Sequence, residues 1–148
     1  MLALFLPQVF FPHPNLLIYH LRFCLKDGWD VTDDPLTLLT KIEGGISTDL
    51  GAEKILVAEK GLTRIAVEVK SFINPSMIHD FLRASGQYYG YNVVIKRKKI
   101  DRILYIAMPS YAYKKLIKYE FIQAIVEEMA IKFILFDEKE KIITAWKE

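Results

Sequence analysis

The sequence predicts a mixed α/β fold, a central sheet flanked by helices, and three stretches carry that expectation. In residues 63 to 72, Ile65, Val67 and Val69 alternate with Arg64, Ala66, Glu68 and Lys70, the period of a strand with one apolar face. From Asn74 to about Lys98, Met77, Phe81, Ala84, Tyr88, Tyr91 and Ile95 fall on one stripe of a long helix. Asp101 to Met108 is almost continuously apolar, as a central strand covered on both faces must be.

The remaining elements follow in order. Asn15 can cap a helix from about Leu16 to Lys26, ended by Asp27-Gly28. Trp29 to Asp33 reads as a short strand, Asp33-Asp34-Pro35 as a turn, and Leu36 to Thr40 as a further extended segment. Gly44-Gly45 then signals a hairpin into Ile46 to Asp49. Lys54 to Ala58 is extended and turns at Lys60-Gly61 to pair antiparallel with the strand from residue 63. Asn74 is the expected cap of the long helix, with Pro75 at its first position. Gly86 and Gly90 inside that helix cost about 1 kcal/mol each relative to Ala, so close approach of another backbone is expected there. Ser110 is expected to cap a short helix through Lys118, and Phe121 to Ala130 forms another. Ile131 to Phe136 and Ile142 to Trp146 make a hairpin around residues 137 to 141.

Composition bounds the rest. With 148 residues and 52% apolar content, the chain fits a single domain, 1 to 148, with a sizeable core. Twenty Lys+Arg against 18 Asp+Glu leave +2, so any basic surface must be local. The single cysteine, Cys24, excludes an internal disulfide and a cysteine zinc site, and fits a reducing cytoplasm. The first 21 residues lack Asp, Glu, Lys and Arg. Prolines at 7, 12 and 14 interrupt this run well short of the roughly 20 residues of a membrane span, so residues 1 to about 15 are read as an apolar arm.

Glu68 and Lys70 point the same way on their strand, roughly 6.6 Å apart, a geometry in which carboxylate and ammonium share one bound ion or phosphate. Glu-x-Lys alone is a weak signal; its surroundings strengthen it. Asp49 lies upstream in Ser-Thr-Asp-Leu-Gly-Ala-Glu, within reach of a neighbouring strand. Gln87 and Tyr91 stand at i and i+4 on one helix face. Tyr91 also reads simply as core, with Gln87 its solvated neighbour. Lys96, Arg97, Lys98 and Lys99 close the helix, either as a solvated end favoured by the helix dipole or as a phosphate track. His79 follows the helix start and is read as exposed, and His13 and His20 have no partner at ligand spacing.

Asp49, Glu68-Val69-Lys70 and Gln87-x-x-x-Tyr91, in αβββαβ order, resemble the PD-(D/E)xK nuclease superfamily, whose fold is restriction-endonuclease-like. More narrowly, five segments resemble the XisH family, the fdxN element excision controlling factors. They are Lys26-Asp27-Gly28-Trp29, Thr32-Asp33-Asp34-Pro35-Leu36, Asp49-Leu50-Gly51-Ala52-Glu53-Lys54, Ala66-Val67-Glu68-Val69-Lys70-Ser71-Phe72 and Gly86-Gln87. That family opens with a charged, His-containing helix, where this chain is Leu- and Pro-rich. The resemblance implies a Mg²⁺- or Mn²⁺-dependent DNA endonuclease supporting programmed excision of a DNA element. Its partners would be DNA, a site-specific recombinase and a small companion factor, with a homodimer as the family analogue for cutting two strands. Asp49, Glu68 and the Val69 carbonyl would hold the cation, with Glu53 in reserve. Lys70 would orient or deprotonate the attacking water, and Gln87 and Tyr91 would support it. The alternative keeps the fold without turnover: an accessory factor that binds DNA or a recombinase.

Overall fold

The computed structural model describes residues 28 to 32, 55 to 72 and 74 to 148. The expected helix 16 to 26 and extended segments 36 to 40 and 46 to 49 lie outside them. Six strands form one sheet in sequence order: β1 (Asp30–Thr32), β2 (Ile55–Lys60), β3 (Thr63–Val69), β4 (Ile103–Pro109), β5 (Phe133–Asp137) and β6 (Ile142–Lys147). The sheet is mixed. β1, β2 and β3 pair antiparallel, β3, β4 and β5 are parallel, and β6 returns antiparallel on β5. Each parallel step requires a crossover. Helix α1 (Met77–Arg97) supplies the first, and α2 (Ser110–Leu116) with α3 (Glu120–Glu128) the second.

The β2–β3 hairpin forms as its sequence requires. Lys60 pairs with Thr63, and Gly61 takes a φ of +59° at the first position of the two-residue turn. β3 stops at Val69, earlier than its apolar pattern suggests. Phe72 adopts a φ of +55° and buries its ring against α1, turning the chain off the sheet.

On the face covered by helices, Ala66, Leu104, Ile106, Met108, Phe133 and Leu135 pack against Phe81, Ala84, Tyr88, Tyr91 and Ile95 of α1. The predicted stripe is the buried stripe. Tyr88 also ties the layers together, its hydroxyl lying 3.3 Å from the Leu104 carbonyl and 3.2 Å from that of Ala130 while accepting from Lys132 N–H at 3.2 Å. Ile65, Val67, Val69, Tyr105, Ala107, Ile134 and Phe136 build a second cluster on the opposite face. There Trp29, next to edge strand β1, stacks on Trp146 of the other edge strand at 5.7 Å between ring centroids. A flat sheet of six strands would separate its edges by roughly 24 Å, so this one curls until its margins share an aromatic contact.

Two local expectations are corrected. Helix α1 is capped by Ser76, whose Oγ accepts from His79 N–H, while Asn74 donates to Asp80 at 2.8 Å; the residue before a proline is pushed off helical geometry, and here the proline itself precedes the helix. Ser110 is the first residue of α2, and its hydroxyl bonds the Phe136 carbonyl and the Thr144 hydroxyl. At Gly86 and Gly90 no described atom outside the helix's own backbone comes within 4 Å of where a Cβ would stand, so the described residues do not make the close approach expected there.

Candidate functional site

β3 lies between β2 and β4, and Glu68 and Lys70 sit at its C-terminal end. Lys70 N–H donates to the Ala107 carbonyl at 2.9 Å, so its backbone is held to the parallel neighbour. Local periodicity cannot show which strand will lie beside another, and the sequence offered no sign of that bond. The expected single apolar face is corrected as well. β3 is covered on both sides: odd positions face the curled side, and Ala66 and Glu68 face α1.

Glu68 is consequently only 1% exposed, a carboxylate inside the helix-side layer. The Lys70 ammonium stands 3.1 Å from its Oε1, with that side chain 12% exposed. A charge removed from water at this depth needs such a partner, because desolvation costs several kcal/mol per ion. The expected convergence of the two side chains is therefore present, within a buried pair.

Tyr91 of α1 completes the inner wall. It is 2% exposed, and burial first, with the Glu68 charge second, raises its phenol far above the usual tyrosine range, so it stays a neutral group beside the carboxylate. One turn earlier Gln87 buries its Oε1, which has no hydrogen-bond partner among the described residues. Buried polar oxygens normally have a donor, and none of the described residues supplies this one.

Val69, whose carbonyl was the expected backbone ligand, is the last residue of β3 and buried. Asp49 and its reserve Glu53 lie outside the described residues, within which no group of three His, Cys, Asp or Glu side chains gathers to hold a metal. The basic run is remote. α1 leaves the C-terminal end of β3 and returns to the start of β4, where Ile103 pairs with Ile65, so exposed Lys96, Arg97, Lys98 and Lys99 lie at the other end of the sheet from Lys70. His79 is exposed in the first turn of α1.

The sequence model of the XisH protein family matches residues 19–144. The chain belongs to the XisH family. Two crystal structures support the XisH assignment at the level of fold. An XisH family protein from Nostoc punctiforme PCC 73102 is 32% identical with a TM-score of 0.77, covering 90% of this chain and 99% of that one. A fdxN element excision controlling factor protein from Anabaena variabilis is 34% identical with the same TM-score and the same coverage of both chains. No match is found among the curated proteins. Residues 1–18, with their uncharged, proline-broken sequence, precede the XisH match. Among the described residues no helix is long and apolar enough to cross a membrane.

Proposed function

We propose that this XisH-family chain is a DNA endonuclease of the PD-(D/E)xK type, on a restriction-endonuclease-like αβββαβ core, supporting the excision of a DNA element. The observation that carries the reading is the Glu68–Lys70 pair: a carboxylate 1% exposed, an ammonium 3.1 Å away, and a neutral tyrosine behind them at the C-terminal end of a central strand. Strand order supports it, since β1 to β3, the α1 crossover and β4 follow the βββαβ part of that core. So does the similarity to the Anabaena variabilis protein, a fdxN element excision controlling factor.

The donors present suit a hard divalent cation, which takes oxygen ligands. Glu68 and the Val69 carbonyl would hold it together with Asp49, or with Glu53, which stands two positions before the Ile55 that pairs with Glu68. When bound, Mg²⁺ or Mn²⁺ polarises a phosphoryl oxygen and lowers the pKa of a bound water. The protein's own contribution is positional. Lys70 offers N–H donors to the attacking water and to the oxygen on which charge builds. Tyr91 keeps the Glu68 carboxylate on a dry wall, and the Gln87 carbonyl accepts from whatever donor enters.

One observation favours a second reading. Glu68 is already neutralised by Lys70 and nearly sealed, as in an accessory factor that binds DNA or a recombinase without cutting. Pure protein incubated with supercoiled DNA and Mg²⁺ or Mn²⁺ separates the two. Cleavage that disappears in Glu68→Gln supports the nuclease, whereas intact DNA, or equal cutting by that variant, leaves the accessory role.

A further inference from the structure

A different surface recognises the nucleic acid. We infer that α2 and the turn after it form a platform for single-stranded DNA, built from three lysines and three aromatic rings; this rests on the reading of the chain as a DNA-acting factor.

Tyr111, Lys114 and Lys115 stand at i, i+3 and i+4 of α2 and so share one face, and Lys118 follows in the turn. The opposite face is spent on the core, where Ala112 and Leu116 are buried. None of the three lysines makes an ion pair among the described residues, although the chain pairs cations elsewhere. The acidic groups nearby include Glu120, which follows Lys118 on exposed chain, Glu138, whose charge reaches Tyr111, and Asp137, which follows the Phe136 carbonyl that accepts from Ser110. No carboxylate among the described residues is held against any of the three lysines.

The rings are the second observation. Tyr111 and Tyr119 are each 48% exposed and Phe121 is 46% exposed, with the Tyr119 and Phe121 ring centroids 6.0 Å apart. Half-exposed aromatics gain nothing from a duplex that shows only its phosphates, but every unpaired base has a face to stack. Lysines that follow a backbone, interleaved with rings that take bases, are the chemistry of a single-strand site.

Position links the platform to the buried pair. Lys70 N–H is bonded to Ala107, and Tyr111 follows Ala107 by four residues, at most about 14 Å of chain. α2 packs on the same helix-side layer that Glu68 faces. The platform thus begins at the end of the sheet that holds Lys70, whereas the Lys96–Lys99 run is at the far end.

The test is fluorescence anisotropy with labelled oligothymidylate and with a blunt duplex, in EDTA, so that cleavage plays no part. Lys114→Glu with Lys115→Glu is expected to weaken oligothymidylate binding at least tenfold and to lower the salt slope by about 1.4. Tyr111→Ala with Tyr119→Ala is expected to weaken it about tenfold while changing duplex affinity less than twofold. Arg64→Ala, at the opposite end of β3 from Lys70, should bind like the parent; cleavage is read in Mg²⁺ and binding in EDTA, so their losses are separate. Unchanged binding in the α2 variants, or equal losses on duplex and single strand in the aromatic variant, would overturn the platform.

Discussion

The two ends of β3 carry charge in opposite ways. At its start, Arg64 lies 3.8 Å from Glu59 and 3.8 Å from Asp101, with side chains 51%, 38% and 88% exposed. At its end, Glu68 and Lys70 meet at 3.1 Å with 1% and 12% exposure. The first cluster sits in water, where ion pairs contribute about 0 to 1 kcal/mol and salt screens them. The second had to be stripped of water, and an apolar pair of similar volume would often be as stable or more so. Arg64 and its partners follow from any solvated strand end. Glu68 and Lys70 call for a reason beyond folding, and the proposed chemistry supplies one.

The largest expected effect comes from breaking the buried end. Lys70→Ala leaves Glu68 as a charge in a dry layer, and urea unfolding should show a loss of about 3 to 5 kcal/mol. Replacing both, as Glu68→Met with Lys70→Met, should recover most of that stability while abolishing DNA cleavage. A double variant as unstable as Lys70→Ala would mean that the pair is needed for folding itself, and the contrast between the two ends would lose its functional meaning.

Alkaline pH sharpens the same end. Tyr91 is raised above the usual tyrosine range by burial and by Glu68, and Tyr105 is raised by burial and by its hydrogen bond to Glu148. The folded state holds these phenolic protons more tightly than the unfolded chain does. Their contribution is therefore complete below about pH 10 and is lost as pH rises through the folded-state values. Urea midpoints measured at about pH 9 and pH 11 should fall further in the parent than in Tyr91→Phe, which has no phenol to ionise beside Glu68. An equal fall in both proteins would show that the Tyr91 phenol is not held above the usual tyrosine range by its surroundings.

Much of this was legible in the chain because it depends on local period. The α1 stripe, the β2–β3 hairpin and the apolar β4 each state their own structure through neighbours a few residues away. The same local view misplaced the solvent. Glu68 and Lys70 alternate with valines as they would on a half-exposed strand, and nothing within residues 63 to 72 announces that α1 will lie over the polar side. Trp29 and Trp146 lie near opposite ends of the described chain and meet only because the sheet curls. Ser76 displaced Asn74 as the cap because two good capping residues stand two apart and the intervening Pro75 decides between them. The Glu-x-Lys motif was thus readable as chemistry, but its burial and its bond to Ala107 belong to tertiary structure.

Arg102 tests the middle of the range. Its guanidinium donates to Glu59 at 2.9 Å and to the Ile65 carbonyl at 3.3 Å, with a side chain 19% exposed, so it clamps β2 and β3 at the start of β4. Hydrogen bonds to a charged group are worth about 1.5 to 3 kcal/mol. Partial solvation should bring Arg102→Ala to about 1.5 kcal/mol in urea, with cleavage retained because the clamp is at the far end from Lys70. A loss as large as that of Lys70→Ala would place both ends of β3 in one energetic class.

Arg64→Ala should have the smallest effect, below about 0.5 kcal/mol. Both of its contacts are at 3.8 Å, beyond hydrogen-bond range, and Glu59 keeps the shorter bond to Arg102 when Arg64 is removed. Asp101 returns to water, where it is already almost fully exposed. Added salt supplies the check, since screening should erase whatever difference exists between Arg64→Ala and the parent. The much larger deficit of Lys70→Ala should persist, because water and ions scarcely reach Glu68. If salt instead reduced both deficits alike, the field at Glu68 would be that of a solvated pair, and its burial could no longer separate it from Arg64.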